Sequence, residues 1–252
     1  MSVVLRSGMV LAAGRGTRMR PLTADRPKPL LPVGGRSLLD HAIDRLGAAG
    51  VRRVVVNAHW HGDQVAARLR ARAARAPGHP ELVLQREDEL LDTGGAVLAA
   101  LRAELLPDDA PFAVVNGDSF WLDGPTPALT RLAGGFDDRE MDVLILVART
   151  AGAVGEVGSG DFAVDEFGRV RRQHENEIVP YSYAGVQLVS PRLFDGINHG
   201  AFGMNALWDG AIGAGRMRAI VHDGPWFHVS RPADLADTER ALRDPSVGPA
   251  DT

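Results

Sequence analysis

The chain has 252 residues, 45% hydrophobic and 24% charged, ordinary values for a globular protein that buries a substantial core. Its 28 Lys+Arg against 32 Asp+Glu leave a net charge of −4, so no global basic field draws nucleic acid. It has no cysteine, which excludes disulfides, thiolate metal sites and a cysteine nucleophile.

The first residues are weakly apolar and run straight into charged sequence. They lack the long apolar core of a signal peptide, and no later stretch approaches the ~20 apolar residues of a membrane span. The expectation is a cytoplasmic protein with neither a membrane nor a nucleic acid as partner. Met9 to Ala13 reads as a buried strand. It breaks into Gly14-Arg15-Gly16-Thr17 and a loop that carries Arg15, Arg18, Arg20, Arg26 and Lys28, stiffened by Pro21, Pro27, Pro29 and Pro32. Glycines let backbone N–H groups approach phosphate oxygens, and the cations neutralise them. The stretch lacks the third glycine of the dinucleotide fingerprint and is not a G-x-x-x-x-G-K-[ST] loop. A plain surface turn is the bland alternative, but it does not account for five cations and four prolines between Arg15 and Pro32. Lys28 is the only lysine of the chain. A compact ammonium, unlike a planar guanidinium, suits a tight phosphate site; chance survival of one lysine is the competing account.

Ser37 and Asp40 form a capping box ahead of a helix with Leu38, Leu39, Ala42, Ile43 and Leu46 on one face, ended by Gly50. Arg53 to Asn57 reads as a strand, 62–75 as a helix with an arginine face, and Glu81 to Gln85 as a strand. Thr93 is placed as the cap of the next helix. Pro111 to Asn116 is a strand ending at Gly117-Asp118. This alternation predicts an α/β domain with a parallel sheet and helices on both faces. The rhythm then changes. Met141 to Ala148, Phe162 to Val164, Val170 to Gln173, Ser182 to Val189, Met217 to Val221 and Trp226 to Val229 read as strands. Residues 203–214 read as a helix, and Pro232 starts a last one. The expected organisation is one domain over 1–243, with a nucleotide-binding half to about 120, a β-rich half over about 121–243, and a disordered tail at 244–252.

Ligands of such sheets bind at the carboxyl ends of parallel strands. The Gly14 to Lys28 loop, Asp92-Thr93-Gly94-Gly95 and Gly117-Asp118 all fall there. Thr93-Gly94-Gly95 opens a helix, so free N–H groups are expected for a base or ribose; a capped helix with glycine for packing is the alternative. Asp118 is suited to Mg²⁺ otherwise held by phosphates and water, where an Asx turn is the alternative. Together these features describe Mg-nucleotide binding with phosphoryl-type chemistry.

With LDTGG and VVNGD downstream, LAAGRGTRMRPLTADRPKPLLPV resembles the sugar-1-phosphate nucleotidyltransferase family over nearly the whole chain. The resemblance implies a Rossmann-like, mixed but mostly parallel sheet. It implies attack of a sugar 1-phosphate oxygen on the α-phosphate of a nucleoside triphosphate, with pyrophosphate leaving on Mg²⁺. Carried over, Arg18 braces the phosphates, Lys28 sits near the attack and Asp118 ligates the metal. Gly14 and Gly16 give N–H contacts beside Thr17, and Ala12, Ala13, Thr93 and Gly94 frame the nucleoside. GSGDF at 158–162 and YAGVQLV at 183–189 resemble the N-acetylmuramate 1-phosphate uridylyltransferases of peptidoglycan recycling, which implies UTP as donor and places Asp161, Tyr183 and Gly185 near the sugar. Mannose or heptose 1-phosphate guanylyltransferases are the close competitor.

The family's W-x-D-x-G-T pattern stands here as Trp226-Phe227-His228-Val229-Ser230-Arg231. Imidazole matches Mg²⁺ poorly. Either Asp118 and substrate phosphates hold the metal with His228 lining the site, which is the favoured reading, or His228 selects Mn²⁺ or Co²⁺ or contacts a phosphate, or the enzyme is weakened. A non-catalytic sugar-nucleotide-binding relative is one rival. The other rests on His59-Trp60-His61-Gly62-Asp63, which resembles the start of metallo-β-lactamase-type hydrolases but has Gln64 where a histidine is expected. The remaining histidines, including His79 and His199, show no ligand spacing.

Overall fold

The computed structural model describes residues 3–75, 80–198 and 200–244. His79, His199 and the expected tail from residue 245 onward lie outside these. The described chain forms a nine-stranded sheet. We number its strands β1 (Ser7–Leu11), β2 (Arg53–Ala58), β3 (Glu81–Arg86), β4 (Phe112–Asn116), β5 (Val143–Arg149), β6 (Phe162–Val164), β7 (Val170–Arg172), β8 (Tyr181–Val189) and β9 (Met217–Val221). The helices are α1 (Leu38–Ala48), α2 (Gly62–Arg75), α3 (Asp92–Arg102), α4 (Ala128–Gly135), α5 (Met204–Gly213) and α6 (Pro232–Ala241). Strands β3, β2, β1 and β4 lie side by side and parallel. Antiparallel β8 joins β4 to β5, and β9 extends β5 in parallel. The expected mixed, mostly parallel sheet is therefore observed, and it runs unbroken through both halves of the chain.

Alternation along the central strands explains the two helical layers. Val10, Val54, Val56 and Val115 pack towards α1, α2 and α4, while Met9, Val55 and Val114 pack towards α3 and α5. Buried on both faces, such strands read as continuous apolar runs. A third cluster joins Met19, Leu31 and Val33 of the basic loop to Phe120, Phe227 and Leu235 of α6. It anchors the loop to the last helix.

Two expectations change. Helix α4 escapes sequence reading because Pro125, Pro127 and Gly134-Gly135 look like loop. Its Leu129 and Leu132 are nonetheless buried, and the Asp123 carboxylate accepts the Ala128 N–H at 2.9 Å. The strand expected over 226–229 stops at Phe227, paired with Phe120–Trp121. The backbone then leaves the ladder, because the Asp234 carboxylate takes the Ser230 and Arg231 N–H groups.

Burial pushes the imidazoles of His41, His222 and His228 below their ordinary value of 6.5. The unfolded chain then binds more protons than the folded one as pH falls below about 6.5. Stability is complete above that pH and declines below it. Scanning calorimetry is expected to show a falling Tm from about pH 6.5 towards pH 5; a Tm unchanged across that window contradicts the neutral state of all three rings.

Candidate active site

The site forms where β1, β2, β3 and β4 end. The Ala12 N–H donates to Asn57 Oδ1 at 2.7 Å, and Asn57 Nδ2 donates to Glu87 Oε1 at 2.7 Å. Glu87 Oε2 in turn accepts the Leu91 N–H at 3.2 Å. This buried relay ties three strand ends to the approach of α3, and it uses the Ala12 amide internally. Gly16 lies at φ +59°, and its carbonyl accepts the Thr23 hydroxyl at 2.7 Å. A Cβ there would come within 3.1 Å of both Lys28 and Thr23. Gly16 thus serves the loop's own fold. Gly14 differs: a Cβ would meet no protein atom within 4 Å, so its bare backbone faces open space.

The beginning of α2 holds the loop from behind. Gln64 Nε2 donates to the Asp25 carbonyl at 2.6 Å, and Trp60 and His61 reach the carbonyls of Thr23 and Ala24. His59 contacts the Glu87 carbonyl, and Asp63 pairs with Arg86. His59, His61 and Asp63 of the H-x-H-x-D stretch therefore face three separate structural partners. Among the described residues no group of three His, Cys, Asp or Glu is placed to share a metal.

Lys28 is 7% exposed, and its Nζ donates to Asp118 Oδ2 at 2.6 Å. Asp118 is brought there by Gly117, whose N–H donates to the Leu11 carbonyl at 2.8 Å; a Cβ at Gly117 would sit 2.6 Å from that oxygen. Arg15, Arg18, Arg20 and Arg26 are exposed and form no ion pair among the described residues. Four unpaired guanidinium groups on the loop that carries this buried ammonium favour a polyanion.

A cavity of about 300 Å³ opens on this face, lined by Gly14, Thr17, Arg18, Lys28, Asn116 and Asp118, with Ala13, Gly16 and Thr93 also on its wall. A second cavity of about 400 Å³ is lined by Asp161, Tyr183, Arg172, Gln187, Asn205 and Trp208. Both include Asp92, Thr93 and Asn116, so the two chambers share one wall.

Several expected residues stand elsewhere. Ala12 is buried behind the first cavity. Thr93 does not cap α3; its hydroxyl accepts the Met204 N–H at 2.9 Å, at the start of α5. The N–H groups of Gly94 and Gly95 both go to the Phe202 carbonyl, at 2.9 and 3.0 Å, so the expected free amides are absent. A Cβ on Gly94 would lie 2.3 Å from the Phe202 ring, which accounts for that glycine by packing. Gly185, at φ +78°, sits in the irregularity of β8 between Tyr183 and Gln187. Its missing Cβ would overlap Ser119 Oγ at 1.7 Å, so it lets β8 pass beneath the Asp118 turn and lines neither cavity.

His228 lies among the site's charges without lining a cavity. Burial pushes its pKa down; Asp234 and Asp118 raise it, and Lys28 and Arg18 lower it. The ring is neutral at pH 7 and adds no cation beside Lys28. Burial, reinforced by the Asp118 charge, pushes the Tyr183 phenol up and keeps it protonated. The buried Tyr183 and Ser230 hydroxyls have no hydrogen-bond partner among the described residues, and their residues line the second and first cavities respectively.

Sequence reading misses Asn57, Glu87, Asn116 and Ser230 in the first region, and Arg172, Gln187, Asn205 and Trp208 in the second. An asparagine ending a buried strand was the available signal for Asn57 and Asn116. The second set carries none, because its members come from three elements far apart in the chain, β7, β8 and α5.

The fold, the paired chambers and the basic loop define a nucleotidyltransferase. Residues 8–187 match the MobA-like NTP transferase domain, and the chain belongs to that family. It is 40% identical to the N-acetylmuramate alpha-1-phosphate uridylyltransferase of Caulobacter vibrioides over 97% of this chain and 100% of that protein. The enzyme of the same description from Neisseria meningitidis serogroup B is 32% identical over 92% of this chain and 96% of its own length. Among solved structures, UDP-glucose pyrophosphorylase complexed with UDP-glucose superimposes with a TM-score of 0.76 over 94% of this chain and 98% of that one, at 16% identity. HddC from Yersinia pseudotuberculosis complexed with GMP-PN gives 0.70 over 95% and 100%, at 18% identity. These structural likenesses speak for the fold. The resemblance to sugar-1-phosphate nucleotidyltransferases is borne out, and the protein is an enzyme of that class.

Proposed function

We propose that the protein transfers a uridylyl group from UTP to N-acetylmuramate 1-phosphate, forming UDP-N-acetylmuramate and pyrophosphate. The carrying observation is the Lys28–Asp118 pair in the first chamber, beside the wall shared by the two chambers, with the unpaired Arg18 also lining the first. The full-length uridylyltransferase relatives support the base and the sugar. In this reading the UTP phosphates lie along the loop, where the open Gly14 backbone admits them. Arg18 stabilises the departing pyrophosphate and Lys28 the charge gathering at the α-phosphate. Thr93 borders both substrates. The sugar phosphate oxygen attacks in line from the second chamber, whose Asp161 and Tyr183 face the sugar, and the gain comes mainly from orientation.

The donor set fits Mg²⁺. Asp118 offers one carboxylate, 41% exposed, and Mg²⁺ takes its other ligands from phosphates and water. When bound, the ion supplies further charge neutralisation on the phosphates. The neutral ring of His228 borders this site and is the feature that would shift preference towards Mn²⁺ or Co²⁺ if it served as a ligand.

A second reading, guanylyl transfer to mannose 1-phosphate, is favoured by one finding. The mannose-1-phosphate guanylyltransferase catalytic subunit beta of Drosophila melanogaster is 34% identical, but over only 44% of this chain and 29% of its own length. Pyrophosphate release with UTP, GTP, CTP or dTTP against a panel of sugar 1-phosphates decides between them. UTP with N-acetylmuramate 1-phosphate is expected to give the highest kcat/KM. A preference for GTP with mannose 1-phosphate supports the second reading, and nucleotide-sugar binding without release for any pair overturns both.

A further inference from the structure

Among the described residues, Arg172 is the one cationic side chain lining the second cavity. Arg172 ends β7 and extends over two aromatic rings, its guanidinium carbon 5.0 Å from the Phe162 centroid and 5.6 Å from that of Trp208. Its Nε donates to Asp209 Oδ1 at 2.8 Å, and one terminal nitrogen, Nη2, donates to the Asn205 carbonyl and side-chain oxygen at 3.3 and 3.2 Å. Among the described residues no acceptor is engaged by Nη1. The guanidinium plane is thus held by aromatic faces and by two α5 residues, and its fork is directed before any ligand arrives.

The remaining polar groups of the chamber are acceptors or neutral. Asp161 accepts the Tyr183 N–H at 2.9 Å, Asp92 accepts the Thr93 N–H at 2.6 Å, and Gln187 Oε1 accepts the Trp208 indole N–H at 3.0 Å. Such groups suit hydroxyls. They bring no positive charge to an anion, and the two carboxylates repel one. An anionic substituent on the sugar would have Arg172 as its partner. The arginine's own partner, Asp209, is 60% exposed, so that pair is well screened and readily exchanged.

We propose that Arg172 is a specificity-determining residue that pairs with a carboxylate carried by the acceptor sugar and selects it over sugars lacking that group. This rests on the acceptor assignment above: N-acetylmuramate is N-acetylglucosamine bearing a lactyl ether, whose carboxylate is the only chemical difference in charge between the two. A pocket built around a charge-assisted pair loses that pair with the uncharged sugar.

The test compares N-acetylmuramate 1-phosphate with N-acetylglucosamine 1-phosphate in the wild type, Arg172→Met and Arg172→Gln, with UTP and pyrophosphate release as the readout. Arg172→Gln keeps hydrogen-bonding capacity towards α5, so it guards against a misfolded Met variant. UTP affinity serves as the control for folding, because Arg172 is not in the first cavity. Both variants are expected to lose about 30- to 100-fold in kcat/KM for the muramate, chiefly through KM, the size of one charge-assisted hydrogen-bonded contact. Turnover of the glucosamine sugar and UTP affinity are expected to stay within about twofold, so discrimination collapses. Wild-type preference that survives in both variants overturns the role of Arg172 and leaves the acceptor assignment standing. Equal losses for the two sugars also overturn it and make Arg172 structural. A wild type without preference for the muramate overturns both this inference and the acceptor assignment.

Discussion

Replacing Lys28 by alanine is expected to lower kcat by about 10³, the scale of removing one preorganised charge from a phosphoryl-type transition state. The structure also predicts an asymmetry between the two halves of the ion pair. In Lys28→Ala the group left behind is Asp118, whose side chain is 41% exposed and solvates readily. Stability should be nearly unchanged. In Asp118→Ala the group left behind is an ammonium with only 9% of its side chain exposed. An unpaired buried cation costs about 2 kcal/mol, and the loss of activity comes with a loss of stability. Steady-state kinetics and urea unfolding of both variants check this. Near-wild-type turnover in Lys28→Ala refutes its place at the reacting phosphate, and equal destabilisation refutes the burial argument.

Gly160→Ala is expected to be strongly destabilising, one methyl group with nowhere to go beside the second cavity. Gly160 lies at φ +82°, and a Cβ would fall 2.3 Å from the Val179 carbonyl oxygen and 2.9 Å from Val179 Cγ2. The positive φ alone costs an L-residue about 1–2 kcal/mol. The overlap is with backbone, so it cannot be relieved by turning a side chain. The Val179 N–H bond to the Ser159 carbonyl, 2.9 Å long, must open or shift. Asp161 follows directly, held by its N–H on the Tyr181 carbonyl at 2.8 Å and by its carboxylate on the Tyr183 N–H. Unfolding free energy should fall by about 2–4 kcal/mol, and KM for the sugar phosphate should rise while UTP affinity holds. A wild-type unfolding midpoint would show that this loop adjusts freely.

The loop was legible because its chemistry is contiguous. Two glycines, four arginines and the lone lysine lie within a few turns of chain, and the strand-end rule then brought Thr93 and Asp118 to the same edge. What stayed hidden depends on distant packing. Nothing near Gly94 announces that the Phe202 ring and carbonyl occupy its space. Nothing near Gly185 announces Ser119. Both glycines looked like ligand contacts because a close approach by protein and a close approach by substrate demand the same residue. Helix α4 was hidden by its flanking prolines and terminal glycines. Arg172 was one of 27 arginines, distinguished only once β7, Phe162 and α5 met around it.

The solitary lysine has a practical consequence. In this chain the only side-chain amine is the one buried against Asp118. Amine-directed reagents, which distribute over many sites in most proteins, have a single side-chain target here, and it lines the first cavity. With Lys28 at the reacting phosphate, as proposed, acylation at that nitrogen is expected to inactivate the enzyme, and bound nucleotide to shield it. One mass increment on the peptide containing Lys28 reports occupancy of the active centre directly.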